Sequence, residues 1–351
     1  MRSIVLVVPG HLGERTGGYL YDRRIVEGLR RLGSAVDVLE LDASFPYPTP
    51  AALKQAADSL AAVRAGTIAI IDSLALGAMP DLLRHEASRL RIVALVHLPL
   101  AAAYGLDRDT AARFEEGERR ALRVAALVIV TGRAALPLIA RYELTPDRVV
   151  VVEPGTDRAP LARGSLGQQL ELLSVATLNP GKGHERLLAA LSAVPYREWR
   201  LTCAGSLTRN PETTDRVRTT IAKLGLEDRV SLAGDLEGPA LEACYHSADV
   251  FVLATRQETY GMAVAEALAH GLPVVATMTG AIPELVGDGA GLLVPVGDTP
   301  ALVAALSCVL SDAGLRARLA EGARRMRDQL PTWEETSRRM AAALHSLATH
   351  G

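Results

Sequence analysis

The sequence predicts an α/β protein of two domains, each a parallel sheet covered by helices on both faces. Three observations lead there. Short apolar runs of strand length alternate with longer helix-patterned stretches along the chain. Those runs are nearly continuous in Val, Ile and Leu, as in Ile4-Val5-Leu6-Val7-Val8 and Leu127-Val128-Ile129-Val130, which marks strands buried on both faces. The chain has 351 residues, of which 49% are hydrophobic, enough for two cores.

Residues 3–8 read as the first strand. The basic start at Met1-Arg2 precedes an apolar run too short for the apolar region of a signal peptide. No uninterrupted apolar run reaches membrane-spanning length. A cytoplasmic protein is expected. Residues 19–32 read as a helix closed by Gly33, and 35–41 as a strand. Residues 44–50, rich in Pro and aromatics, read as a loop. Apolar runs at 67–71, 92–97, 127–131 and 149–152 complete the first set. Residues 155–169 have Gly and polar residues without a period, and are the expected linker.

The same rhythm resumes at Leu172. Strands are expected at 201–205, 230–234 and 248–254, with a helix from about Gly261 to Gly271 and a strand after it. Beyond residue 300 the pattern is helical. Pro331-Thr332-Trp333-Glu334-Glu335 starts a last helix, with Thr332 as cap and Glu335 as its box partner. The expected domains are therefore 1–160, 161–328 and a terminal helix within 329–351.

Net charge is −2, so no global charge argues for nucleic acid. Residues 1–150 hold 19 Lys and Arg against 17 Asp and Glu, and the remainder 19 against 23. Cys203, Cys244 and Cys308 show no paired spacing, so neither a disulfide framework nor a zinc site is expected. All three read as small buried apolar residues. His11, His97, His184 and Asp249 have no tight ligand spacing, and no metal or other cofactor is expected.

The segment Glu258-Thr259-Tyr260-Gly261-Met262-Ala263-Val264-Ala265-Glu266 carries the most chemistry. It joins a strand end to a helix start, where open α/β sheets bind ligands and free amides suit a phosphate. Eight helical residues rise roughly 12 Å, whereas glycosidase carboxylate pairs stand roughly 5 to 9.5 Å apart. Glu258 and Glu266 are thus spaced to hold two ends of one long ligand whose charged middle lies at the helix start. A nucleotide sugar fits, with the sugar by Glu258, pyrophosphate at Tyr260 and Gly261, and ribose by Glu266. The plain alternative is one surface and one capping glutamate.

This segment resembles the E-x7-E signature of retaining family-4 glycosyltransferases, which have the two-domain GT-B fold. The resemblance extends to Leu173-Ser174-Val175-Ala176-Thr177-Leu178-Asn179-Pro180-Gly181-Lys182-Gly183, to Leu201–Gly205 and Val230–Gly234, and to Gly280–Val286 and Gly291–Pro295. It covers roughly residues 170–310 closely and the first half loosely. It implies two Rossmann-like domains facing across a cleft, with the C-terminal helix crossing back to the first. It also implies transfer of a sugar, with retention, from a UDP- or GDP-linked donor to an acceptor hydroxyl, without a metal.

The resemblance assigns Lys182 to the donor diphosphate, His97 to the neighbourhood of the transferred sugar, and Glu258 to the sugar hydroxyls; these three are the expected catalytic residues. Donor contacts are further expected from Gly17 and Gly18, from Thr177, Gly205 and Gly234, and from Thr259, Tyr260, Gly261, Met262 and Glu266. Lys182 is one of only three lysines against 35 arginines. One departure is clear: many members carry an arginine five residues before the lysine, where this chain has Thr177. Arg209 or Arg256 are candidates to replace that charge. Gly155 and Asp157 match the family's turn at the end of the first domain, but its Asn is absent.

The acceptor is a small molecule, a glycan or a lipid, expected on loops 44–50 and 98–110. These hold Phe45, Tyr47, Leu98, Leu100 and Tyr104. The arginines between 113 and 123 are interrupted by Glu115, Glu116 and Glu118, a poor membrane patch; peripheral membrane contact stays open. Two rivals remain: a nucleotide-sugar 2-epimerase-like isomerase and a non-catalytic nucleotide-sugar-binding subunit.

Overall fold

The structure, a computed structural model, describes residues 3–167 and 169–349. Met1 and Arg2, Gln168 of the expected linker, and His350 and Gly351 of the expected terminal segment lie outside the described residues. The chain divides into two compact units, Met1–Gly155 with Pro331–Gly351, and Thr156–Leu330. The irregular segment after Gly155 is fastened to the second unit, so the division falls before residue 160. Its Ala162 and Arg163 amides donate to the His270 and His246 carbonyls at 2.8 and 2.9 Å. Asp249 accepts from the amides of Ser165 and Glu171.

Unit 1 holds β1 (Ile4–Pro9), β2 (Val36–Leu41), β3 (Ile68–Asp72), β4 (Arg91–Val96), β5 (Leu127–Val130) and β6 (Val149–Val151). Their order is β2-β1-β3-β4-β5-β6 and every pair is parallel. The sheet reverses direction of growth between β1 and β3, the flavodoxin-like arrangement. The loop at 44–50 runs into a helix the sequence reading did not assign, Pro50–Ala62. Thr49 caps it, accepting the Ala52 amide at 3.1 Å, with Pro50 in the first turn, where a missing N–H costs nothing. In the two aromatic loops, Phe45 and Leu100 are core residues, while Tyr47 and Tyr104 are exposed.

Unit 2 holds β7 (Leu170–Val175), β8 (Trp199–Ala204), β9 (Val230–Gly234), β10 (Val250–Leu253), β11 (Val274–Thr277) and β12 (Gly291–Val294). The order β12-β11-β10-β7-β8-β9 is that of a dinucleotide-binding sheet, with its switch point between β7 and β10. Alternate residues feed the two faces. Leu172, Leu201, Val250 and Val252 enter one core, and Leu173, Phe251, Leu253 and Val274 the other. Cys203 is buried as expected, but Cys308 is exposed. It falls off the inward stripe of Leu302, Ala305, Leu306 and Val309 on its helix.

The chain returns to unit 1 for the Trp333–Thr349 helix. The expected capping box is present: Thr332 N–H donates to Glu335 Oε2 at 2.7 Å, and Glu335 N–H to Thr332 Oγ1 at 3.2 Å. The helix lies on Gly17–Arg31 so closely that a Cβ on Gly28 would stand 1.8 Å from Ser337 Oγ. Trp333 meets Tyr21 edge-on at 6.0 Å. Among the described residues no single helix is long and apolar enough to cross a membrane. The pair Thr299–Ser311 and Ala313–Arg327 passes on combined length but is bent by 100°.

Candidate active site

At the switch point of unit 2, three loops press backbone against backbone. The loop after β7 is shaped by Asn179, whose side chain accepts the Gly181 amide at 3.0 Å. Gly183 has φ +71°, and a Cβ there would lie 2.1 Å from the Ala254 carbonyl oxygen. Only glycine suits both conditions. The Gly181 carbonyl accepts the Arg256 amide at 2.7 Å and the Thr255 hydroxyl at 3.2 Å. Gly280 closes the third side: its Cβ would stand 1.9 Å from the Glu258 carbonyl oxygen. The result is a direct ion pair between Lys182 Nζ and Glu258 Oε1, both side chains largely buried. Two residues 76 positions apart in sequence thus share one point.

The Met262–Ala269 helix starts beside this pair, with Gly261 at φ +99° as its cap. The amides of Val264 and Ala265 bond the Gly261 carbonyl at 2.9 and 3.1 Å. Those of Met262 and Ala263 point into no recorded partner among the described residues, which leaves two donors for an anion. The Tyr260 ring is buried in the core of the unit, so the donor contact expected at this position falls to its main chain. The ring is large and apolar and follows a strand end, so packing claims it. Thr177, Gly205 and Gly234 meet at neighbouring strand ends. Gly205 N–H donates to Gly234 O at 2.8 Å, and a Cβ on Gly205 would stand 2.8 Å from the Thr177 amide nitrogen.

Glu266, on the same helix, has a partner that sequence reading missed. Tyr245 donates its hydroxyl to Glu266 Oε2 at 2.7 Å. Burial, then the Glu266 charge, pushes this phenol well above its ordinary range, so it stays a neutral donor. Its ring is stacked on His270 at 4.8 Å and 7°. Tyr245 therefore fixes one carboxylate oxygen. Tyr245→Phe is expected to weaken nucleoside diphosphate binding by about 2- to 12-fold, the worth of one hydrogen bond, while inorganic pyrophosphate binding is unchanged; calorimetry reads both.

His184 begins the helix after the Lys182 loop. It is buried, with neither ring nitrogen hydrogen-bonded among the described residues. Burial first, and the Lys182 charge second, hold its pKa down at about 4. The unfolded chain binds the proton near pH 6.5 and the folded one does not, so this stability is complete above 6.5 and falls away toward pH 4. The span corresponds to about 3 kcal/mol. His184→Leu is expected to flatten the acid limb of a Tm-against-pH curve relative to the parent.

Unit 1 builds a second cluster at its own switch point. Gly17 and Gly18, expected in a loop, form the first turn of the Gly17–Arg31 helix, capped by Thr16. A Cβ on Gly18 would lie 3.4 Å from His97 Cδ2, in ordinary van der Waals contact with the ring. His97 Nε2 lies 3.1 Å from Asp22 Oδ1 and 3.3 Å from Asp72 Oδ2. The sequence reading found His97 and Gly18 but neither aspartate. A signal existed: Asp22 sits in the buried stripe Tyr21, Ile25, Val26, Leu29, where a charge demands a partner. The search for ligand spacing paired His97 with His11, His184 and Asp249. The fold instead groups it with Asp22 and Asp72, their ligand atoms all within 4.8 Å of one another. His11 stands beside Glu40, outside this cluster.

Residues 162–326 match the protein family Glycosyl transferases group 1. The D-inositol 3-phosphate glycosyltransferase from Salinispora arenicola is 34% identical over 223 residues, 57% of this chain and 50% of that protein. The MMP alpha-(1->4)-mannosyltransferase of Mycolicibacterium hassiacum is 28% identical over 329 residues, 88% of this chain and 78% of that protein. The chain spans about half the length of the first of these relatives. Among solved structures, sucrose-phosphate synthase from Thermosynechococcus elongatus superposes with TM-score 0.84 at 20% identity over the whole of both chains. Anabaena Alr3699/HepE in complex with UDP-glucose gives 0.79 at 18% identity, covering 99% of this chain and 100% of that one. These structural likenesses fix the fold class as GT-B, with two parallel-sheet α/β units.

Proposed function

We propose that this protein is a retaining glycosyltransferase that moves a sugar from a nucleoside diphosphate sugar to an acceptor hydroxyl. The observation that carries the reading is the Lys182–Glu258 pair at the switch point of unit 2, beside two helix amides with no recorded partner among the described residues, on the helix that also carries Tyr245-fixed Glu266. A cation, two amide donors and two carboxylates in that order match a phosphate flanked by two polyols. Lys182 and the Met262 and Ala263 amides neutralise the diphosphate as its charge grows when the anomeric bond breaks. Glu258 accepts hydrogen bonds from sugar hydroxyls, and Glu266 from ribose hydroxyls, completing the E-x7-E pair. Thr177 contributes no charge, so the helix amides and Lys182 carry the leaving group.

Retention follows a front-face route in this reading: the acceptor oxygen bonds the anomeric carbon as the carbon–oxygen bond to phosphate breaks, and the leaving phosphate takes the acceptor proton. All charge needed at the leaving group comes from the protein, so activity persists in chelator. Three unpaired cysteines suit a cytoplasmic setting. The neighbour solved with UDP-glucose and the relative named as a mannosyltransferase support a nucleotide-linked hexose as donor.

The test is a calorimetric and thermal-shift panel of nucleoside diphosphates and nucleotide sugars, with Glu266→Ala alongside. One nucleotide family that stabilises the parent and not the variant supports the reading. A parent indifferent to the whole panel sinks it.

A further inference from the structure

Three elements of unit 1 deliver one side chain each to the same point: Asp22 from the Gly17–Arg31 helix, Asp72 from the end of β3, and His97 from the end of β4. A single ring nitrogen, Nε2, lies between two carboxylate oxygens. A lone pair there would face two acceptors, so Nε2 carries a proton. Asp72 has a second bond, accepting the Leu74 amide at 2.6 Å. Asp22 has none: its Oδ2 is buried without a partner among the described residues, and its side chain is 1% exposed. With a neutral imidazole, both buried carboxylates would lack a counter-charge, an arrangement proteins avoid.

We propose that Asp22 and Asp72 hold His97 as an imidazolium throughout the neutral range, making its outer Nδ1–H a permanent donor to an oxygen of the bound ligand and denying His97 any role as a proton acceptor. His97 keeps 19% of its side chain exposed, and no bond to Nδ1 is recorded among the described residues. Gly18 lies against one side of the ring, and Tyr21 meets it edge-on at 5.4 Å. The titratable and charged groups around it are Asp22, Tyr21 and Arg23 from the helix and Asp72 from β3. Burial pushes the Tyr21 phenol well up, so it stays neutral, and its hydroxyl donates to the Val152 carbonyl. Burial alone would lower the His97 pKa; the charge and hydrogen bond of Asp22, then those of Asp72, overcome it and raise it to about 10. Asp22 is raised by burial and pulled back by His97, to about 6. Between those limits the Asp22–His97 ion pair stays intact. Asp22 and Asp72 are positioning residues: they touch the histidine, not the ligand.

The protonation arm of the test needs no substrate, so its failure is separate from failure of the glycosyltransferase reading, on which only the ligand arm rests. The imidazole nitrogens of His97 are followed by NMR from pH 5.5 to 10 in the parent, Asp22→Asn and Asp72→Asn. The expected result is no deprotonation of the parent ring below pH 9, with a midpoint lowered by more than one pH unit in Asp22→Asn. A parent midpoint near 6.5 overturns the proposal, as does displacement of the ring proton by micromolar Zn²⁺, which would make the triad a cation site. In the ligand arm, His97→Gln is compared with the parent for a nucleoside diphosphate and for its glucose conjugate. Loss of affinity for both places the acceptor oxygen on phosphate, and loss for the conjugate alone places it on the sugar. Unchanged affinity for both in a variant of parental Tm overturns the donor role.

Discussion

Lys182→Ala lowers kcat/KM for sugar transfer by about 10²- to 10³-fold, the usual cost of removing one preorganised stabiliser of developing charge. The substitution removes the one ammonium at the β7 switch point, and Thr177 has no charge to take over. Two amides of the Met262–Ala269 helix remain, so nucleoside diphosphate binding weakens rather than disappears. The loss should fall mainly on kcat, because diphosphate charge is greater in the transition state than in the bound donor. Lys182→Arg does not rescue it: a planar fork replaces a point charge beside Gly183, whose backbone already touches Ala254. Steady-state kinetics on the two variants decide the matter. A fall in affinity with kcat unchanged would mean that Lys182 only binds.

Glu258→Gln separates two quantities that usually move together. In the free protein Glu258 is the ion-pair partner of Lys182. Removing its charge frees the ammonium, so bare nucleoside diphosphate binds as tightly as to the parent or more tightly. The sugar loses the carboxylate that orients it, and misplacement of about 1 Å costs about 10²-fold in rate. The expected result is therefore transfer reduced about 10²-fold with product affinity held or raised. Calorimetry with the nucleoside diphosphate and an initial-rate assay give the two numbers. A parallel fall in both would show that Glu258 supports the fold of the loop rather than the sugar.

The sheets were legible because buried parallel strands leave an unbroken apolar run. In unit 1 each strand was placed to within one residue of its observed ends. Helices such as Pro50–Ala62 were harder: alanine-rich and short of large residues, that helix shows only Ala52, Ala56 and Leu60 as its buried stripe. Glu258, Lys182 and Glu266 stood out by type and local context, and the structure brings Lys182 and Glu258 together. Tyr245, Asp22 and Asp72 were not, because each acts on a residue far away in the sequence. The hydrogen bond from Tyr245 spans 21 positions and the pair from Asp22 spans 75. At Tyr260 local context did not reveal that the ring packs into the core of the unit.

Unit 1 is made of two stretches of chain separated by the whole of unit 2. On the ribosome, unit 2 is continuous and can close as soon as it emerges, while the Gly17–Arg31 helix must wait for Trp333 and Ser337 to be synthesised. Until then, Tyr21 has His97 and Val152 as partners but lacks Trp333, and Gly28 lacks Ser337. The nascent protein thus passes through a period in which its first-made half is the last to be finished. A chain cut before Pro331 would stay in that state, with Gly28 and Gly155 no longer pressed against the returning segment. It should bind chaperones and resist refolding, even with every strand of both sheets intact.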